Sequence, residues 1–152
     1  MVILIADDLE DKQFALKRVI NEHFKGAEII QTYALNSTLK KIMQERVDLI
    51  LLDMTMPTYE NEDLQLPTNA LRTLAGKDLI SKMAYRGIMV PTIIVTAFEV
   101  FGRHDSIENI NSILDELQRD YPNIVKGGVL FDVQSDSWKL DLVKKIKSIK
   151  NV

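Results

Sequence analysis

The chain has 152 residues, about one domain's worth, and its 46% hydrophobic and 27% charged residues suit a single globular core. No apolar run approaches the roughly 20 residues of a membrane span, and zero cysteines exclude disulfides and thiolate metal sites, which fits a cytoplasmic protein. The net charge of −3 is uneven: from Ser137 onward five lysines and one aspartate make +4, which leaves −7 for the rest, not the basic body of a nucleic-acid binder.

The start, MVILIADD, lacks the basic segment, long apolar stretch and cleavage site of a signal peptide. Val2 to Ala6 is a short branched apolar run that ends in Asp7 and Asp8, and it predicts a strand. Phe14, Ala15, Val19, Ile20 and Phe24 fall at helical spacing, with Gly26 as the stop. Ala27 to Ala34 predicts a second strand. Asn36 or Ser37 is the expected cap of a helix that carries Leu39, Ile42 and Met43. Val47 to Pro57, VDLILLDMTMP, is the most informative stretch. Its run Leu49 to Leu52 reads as a strand buried on both faces, and Asp53 stands at its carboxyl end.

The next segment, TYENEDLQLPTNALRTLAG, shows neither period and carries Glu60, Glu62 and Asp63. It reads as an insertion at about 58–75 that overhangs the loop after Asp53 and governs access to it, since ordinary strand-to-helix loops have about 2 to 6 residues. Leu79, Ile80 and Met83 predict a helix closed by Gly87, and Thr92 to Val95 a third buried strand ending at Thr96. Asp105 with Glu108 resembles a capping box that opens a helix to about Asp120, broken by Tyr121 and Pro122. Gly127 and Gly128 introduce a last strand, Val129 to Phe131, followed by Asp132. A final helix from about Asp136 to Lys150 is expected to bury Leu140, Val143, Ile146 and Ile149 and to turn its lysines to water. Residues 98–126 form an extended segment within what reads as one domain over 1–152.

Strand and helix alternate five times, which specifies an α/β parallel sheet covered on both sides, a three-layer αβα sandwich. Asp7, Asp8, Asp53 and Thr96 then share the carboxyl edge of that sheet, where such folds place their ligands. Taken alone, Asp53 could simply cap a turn. Crowded carboxylates repel one another, and a divalent cation resolves this; oxygen-only ligands favour Mg²⁺, or Mn²⁺ in its place.

These residues resemble the receiver domains of two-component response regulators: the pair Asp7 and Asp8 after the first strand, Asp53 in LILLDMTMP, and Thr96-Ala97 after the fourth. The resemblance implies a flavodoxin-like five-stranded sheet of order 2-1-3-4-5. It implies that Asp53 accepts a phosphoryl group from a sensor histidine kinase or phosphotransfer protein. Mg²⁺ would be bound by Asp8, Asp53 and the backbone carbonyl of Thr55, with Asp7 acting through a water, and Thr96 would contact the phosphoryl oxygens. A downstream protein partner is implied, a homodimer is allowed, and neither nucleic acid nor membrane is expected. Such a domain is not an enzyme beyond autophosphatase activity.

The pattern departs at the fifth strand. Family members carry a lysine after it; here Asp132 occupies that place, and Val129 stands where the switch aromatic is usual. Lys126, Arg103 or a lysine of the last helix are the candidates to replace that charge, although each also reads as a solvated side chain. The rival to a phosphoacceptor is therefore a pseudo-receiver, a protein-binding module independent of phosphate. An aspartate-nucleophile phosphohydrolase of the haloacid-dehalogenase kind is disfavoured, since its nucleophile lies on the first strand with a second aspartate two residues on, where this chain has Thr55. His23 and His104 read as surface residues, and Trp138 as a core anchor or an interface residue. Because the chain ends with its last helix, it is expected to work through protein contacts, alone or as part of something longer.

Overall fold

The computed structural model describes residues 1–60, 74–97 and 107–150. In chain order these form β1 (Val2–Ala6), α1 (Glu10–His23), β2 (Glu28–Thr32), α2 (Leu35–Gln44), β3 (Leu49–Leu52), α3 (Ala75–Tyr85), β4 (Thr92–Ala97), α4 (Ile107–Asp120), β5 (Val125–Phe131) and α5 (Ser137–Lys150). All strand pairs are parallel, in the order β2-β1-β3-β4-β5. This is the flavodoxin-like order that the resemblance implied.

The unbroken apolar strands partition into two cores because successive side chains point to opposite faces. Leu4, Ile50, Leu52 and Ile94 pack with Leu79, Ile80 and Met83 of α3 and Leu117 of α4. Ile3, Ile5, Leu51 and Val95 pack with Leu16 and Ile20 of α1 and Leu142 and Ile146 of α5. The register then fixes where the strands end. Ala6 lies opposite Leu52 and Thr32, and Leu52 opposite Ile94. The Asp53 N–H donates to the Ala6 carbonyl at 2.9 Å and the Asp7 N–H to the Thr32 carbonyl at 3.0 Å, which continues the sheet ladder by one residue at the tips.

Several local expectations are corrected. Phe14 is 63% exposed, while α1 buries Lys12, Gln13, Leu16, Val19 and Ile20; the phase of the helix, set by Leu16, overrides the hydrophobicity of Phe14. Leu140 is 72% exposed and Trp138 takes the buried place on α5. Met43 is exposed as well. Neither Asn36 nor Ser37 caps α2, which begins at Leu35 after Ala34. Instead the N–H groups of Leu35 and Asn36 donate to the carbonyls of Pro57 and Thr58, at 3.0 and 2.9 Å, so the loop after Asp53 satisfies the open end of the helix. β5 starts at Val125 rather than Val129. Thr92 pairs with Val125 and Ile93 with Gly127, so Lys126 forms a bulge inside the strand and the two glycines belong to it. Most of the expected insertion, residues 61–73, lies outside the described residues, as do Arg103, His104 and Asp105, the first residue of the expected capping box.

Candidate functional site

Asp7 and Asp53 are 1% and 2% exposed, so both carboxylates are taken out of water at the tips of β1 and β3. Asp8 is half-buried beside them. One oxygen from each of Asp7, Asp8 and Asp53 lies within 4.8 Å of the others. The turn into α1 aims them: Asp7 Oδ1 accepts the Leu9 N–H at 2.9 Å, which leaves Oδ2 facing inward. Buried Gln13 holds the same turn, its Nε2 lying 3.1, 3.0 and 2.8 Å from the carbonyl oxygens of Ile5, Asp7 and Thr32, which accept from it. On the other flank α3 approaches so closely that a Cβ on Gly76 would lie 2.7 Å from the Asp53 carbonyl oxygen. The Gly76 N–H donates to the Met54 carbonyl at 3.0 Å and ties the helix to the Asp53 loop.

Between the two buried carboxylates lies Lys12, which the sequence pattern did not single out. Its side chain is 2% exposed, and Nζ is 2.7 Å from Asp7 Oδ2 and 3.2 Å from Asp53 Oδ1. Its well-directed hydrogen bond, 2.6 Å, goes to the Val95 carbonyl. The Lys12 ammonium is thus the partner of Asp7 Oδ2 and Asp53 Oδ1, and among the described residues neither oxygen accepts a further hydrogen bond. Thr96 is fully buried and its Oγ1 also lacks a hydrogen-bond partner among the described residues. A fully buried hydroxyl without a partner, beside two buried carboxylates that share one ammonium, is the kind of exception that a bound ion or ligand accounts for. The donor set, three carboxylates with no soft ligand, fits a hard divalent cation.

Burial pushes the Asp53 carboxyl up to about 7; Lys12 opposes the rise, and Asp7 and Asp8 add to it. Asp7 is likewise raised by burial against the pull of Lys12. A carboxylate with a raised pKa is one that gains most from an added positive charge.

The remaining predicted residues are placed as follows. Thr55 is half-buried in the loop after Asp53. Asp132 is exposed, accepts the Gln134 N–H at 3.0 Å, and does not join the acidic cluster. Val129 is 1% exposed in the core between the sheet and α5. Lys126 donates to the Pro122 carbonyl at 3.0 Å, in the first half of β5 rather than at its carboxyl end. Lys139 pairs with Asp136 just before α5, and Lys145 with Asp141 on the helix itself. His23 is exposed at the end of α1. Lys12 shares the buried stripe of Leu16, Val19 and Ile20 at i, i+4 and i+7/8, a spacing that marks its face of the helix but not its carboxylate partners.

A 2-1-3-4-5 parallel sheet with an acidic cluster at its carboxyl edge defines the class: a response-regulator receiver domain. Solved structures agree on the fold. The chain aligns over 99% of its length with the CheY-like response regulator receiver domain protein from Methanospirillum hungatei JF-1, covering 94% of that chain at TM-score 0.64 and 21% identity. It aligns over 98% with the signal receiver domain of a LuxO repressor protein from Vibrio parahaemolyticus, covering 92% of it at TM-score 0.62 and 17% identity. No family model matches the chain. It is 53% identical over 150 residues to the Detocs response regulatory protein DtcB of Enterobacter cloacae strain JD6301, which spans 98% of this chain and 100% of that one. The chain therefore belongs to the response-regulator family of that protein. It is also 29% identical over 139 residues to the uncharacterized protein y4jR of Sinorhizobium fredii strain NBRC 101917 / NGR234, covering 91% and 92% of the two chains. No helix among the described residues is long and apolar enough to cross a membrane.

Proposed function

We propose that this domain accepts a phosphoryl group on Asp53 and relays that state through protein contacts. The observation that carries the reading is the cluster of Asp7, Asp8 and Asp53 beside the buried, unpartnered Thr96 hydroxyl at one sheet edge. Asp53 attacks phosphorus, the P–N bond of a phosphohistidine breaks as the O–P bond forms, and the departing imidazole is protonated from water. The donor is a sensor histidine kinase or a phosphotransfer protein. Asp7, Asp8 and Asp53, with the Thr55 backbone carbonyl, would hold Mg²⁺ or Mn²⁺, whose charge would offset that of the transferring group. The Thr96 hydroxyl, buried and unpartnered, donates to a phosphoryl oxygen. Loss of the phosphoryl by hydrolysis is the only further chemistry assigned to the domain. It acts in the cytoplasm on a downstream protein, with neither nucleic acid nor membrane as a direct partner and with a homodimer allowed.

A second reading, a pseudo-receiver that binds its partner independently of phosphate, is favoured by Val129. This small residue is locked in the core where a mobile aromatic would be needed to report the site's state. Beryllofluoride with Mg²⁺ separates the two. As a phosphoacceptor the domain binds it and shifts amide signals well beyond the site. Metal binding without any beryllofluoride response supports the pseudo-receiver instead.

A further inference from the structure

A phosphoryl group seated among three carboxylates needs more positive charge than one divalent ion brings. The end of β5 offers none, since that strand closes with Phe131 and is followed by the exposed Asp132. We propose that Lys12, reaching in from α1, is the cation that contacts the phosphoryl group on Asp53. The proposal rests on the phosphoacceptor reading.

The geometry makes Lys12 more than a core filler. A lysine head buried to 2% exposure costs several kcal/mol unless it is paired, and a methionine would fill the same space without that cost. The head here meets Asp7 Oδ2 and Asp53 Oδ1 at 2.7 and 3.2 Å, so it lies beside an oxygen of the carboxylate that would carry the phosphoryl group. Its third partner is the carbonyl of Val95, the residue before Thr96, so the ammonium is anchored on β4 next to the residue whose hydroxyl is unpartnered. The Phe131 ring, with its centroid 5.8 Å from Nζ, closes the side toward β5. Trp138 backs that ring at 4.7 Å between centroids. α1 directs the side chain correctly as well. Lys12 lies in the first turn, and helical side chains lean toward the N-terminus, which here faces the strand tips. With Lys12 and a divalent ion, three positive charges face three carboxylates, and the site is neutral before phosphoryl arrives; without Lys12 it keeps a negative charge that repels the donor.

The test compares wild type with Lys12→Met for labelling of Asp53 by acetyl phosphate at saturating Mg²⁺, and for Mg²⁺ affinity by calorimetry. Losing a charge-assisted contact to the phosphoryl group should slow labelling about 10- to 100-fold. Mg²⁺ should bind the variant at least as tightly, because a competing cation is gone. A merely structural lysine would not move the two readouts in opposite directions. Equal labelling of two folded proteins overturns the proposal and leaves the phosphoacceptor reading standing. Metal binding that appears only in the variant also overturns it, since Lys12 would then be a stand-in for the ion. A wild type that neither labels nor binds beryllofluoride overturns both. If Lys12→Met does not fold, the wild type decides: a ¹⁹F–¹H Overhauser contact between bound beryllofluoride and the Lys12 ε-methylene protons is expected, and bound beryllofluoride without that contact overturns the proposal.

Discussion

Replacing Asp53 by Asn should stabilise the metal-free protein at neutral pH, and the gain should vanish in acid. Burial raises the Asp53 carboxyl from 3.8 to about 7 in the folded state. Between those values the folded chain binds a proton that the unfolded chain has released, so stability falls as pH rises from about 4 through 7. At about 1.4 kcal/mol per unit, the full span amounts to about 4 kcal/mol. Asp7, also raised, adds a slope of the same sign in both proteins. Asp48 is held low by the Val2 N–H and acts with the opposite sign, below this window. The assay is urea denaturation in EDTA at pH 4.5, 6 and 7.5. The Asp53→Asn advantage should grow toward about 4 kcal/mol at pH 7.5 and shrink toward zero at pH 4.5. Adding Mg²⁺ should stabilise the wild type more at pH 7.5 than at pH 5, and Asp53→Asn much less. An advantage that is constant with pH, or that grows in acid, would refute the reasoning.

Gly76→Ala would bring a Cβ to 2.7 Å from the Asp53 carbonyl oxygen, so it should cost about 1–3 kcal/mol and shift the amide signals of Asp53 and Met54; unchanged spectra would show that α3 has room to move. Gln13→Leu removes the side-chain donor shared by the buried carbonyls of Ile5, Asp7 and Thr32, the last of which keeps the Asp7 N–H, and should lower the urea midpoint by an amount equivalent to about 1–3 kcal/mol, which equilibrium denaturation measures directly. Phe14→Gln and Leu140→Gln, at 63% and 72% exposure, should each stay within about 0.5 kcal/mol of wild type; a loss of 2 kcal/mol or more in either would mean that the helix phases are wrong.

The sheet was legible in the sequence because its strands are buried on both faces. Runs such as LILL can be little else when an aspartate closes them, and the positions of Asp7, Asp53 and Thr96 along the chain then follow from strand length. Phe14 faces water because helix phase outweighs the hydrophobicity of one residue; Leu16, one turn after Lys12, sets the buried stripe. The caps of α2 are carbonyls of a loop some twenty residues away, which no local residue pattern announces. Gly127 and Gly128 are expected just ahead of the last strand, yet they are strand residues. The bulge at Lys126 explains one, and the Leu114 side chain, 2.9 Å from where a Cβ would lie, explains the other. Lys12 was hidden for a different reason. A lysine in the first turn of a helix is ordinarily solvated, and its burial depends on two carboxylates that only the folded sheet brings within reach.

The most direct measurement is the intact mass of the chain after incubation with acetyl phosphate and Mg²⁺, with the modified residue mapped by borohydride reduction and peptide sequencing. The account predicts one phosphoryl group per chain, on Asp53, absent in Asp53→Asn and absent when EDTA replaces Mg²⁺. A folded, metal-binding protein that stays unmodified, or a phosphoryl group that persists in Asp53→Asn, would contradict it.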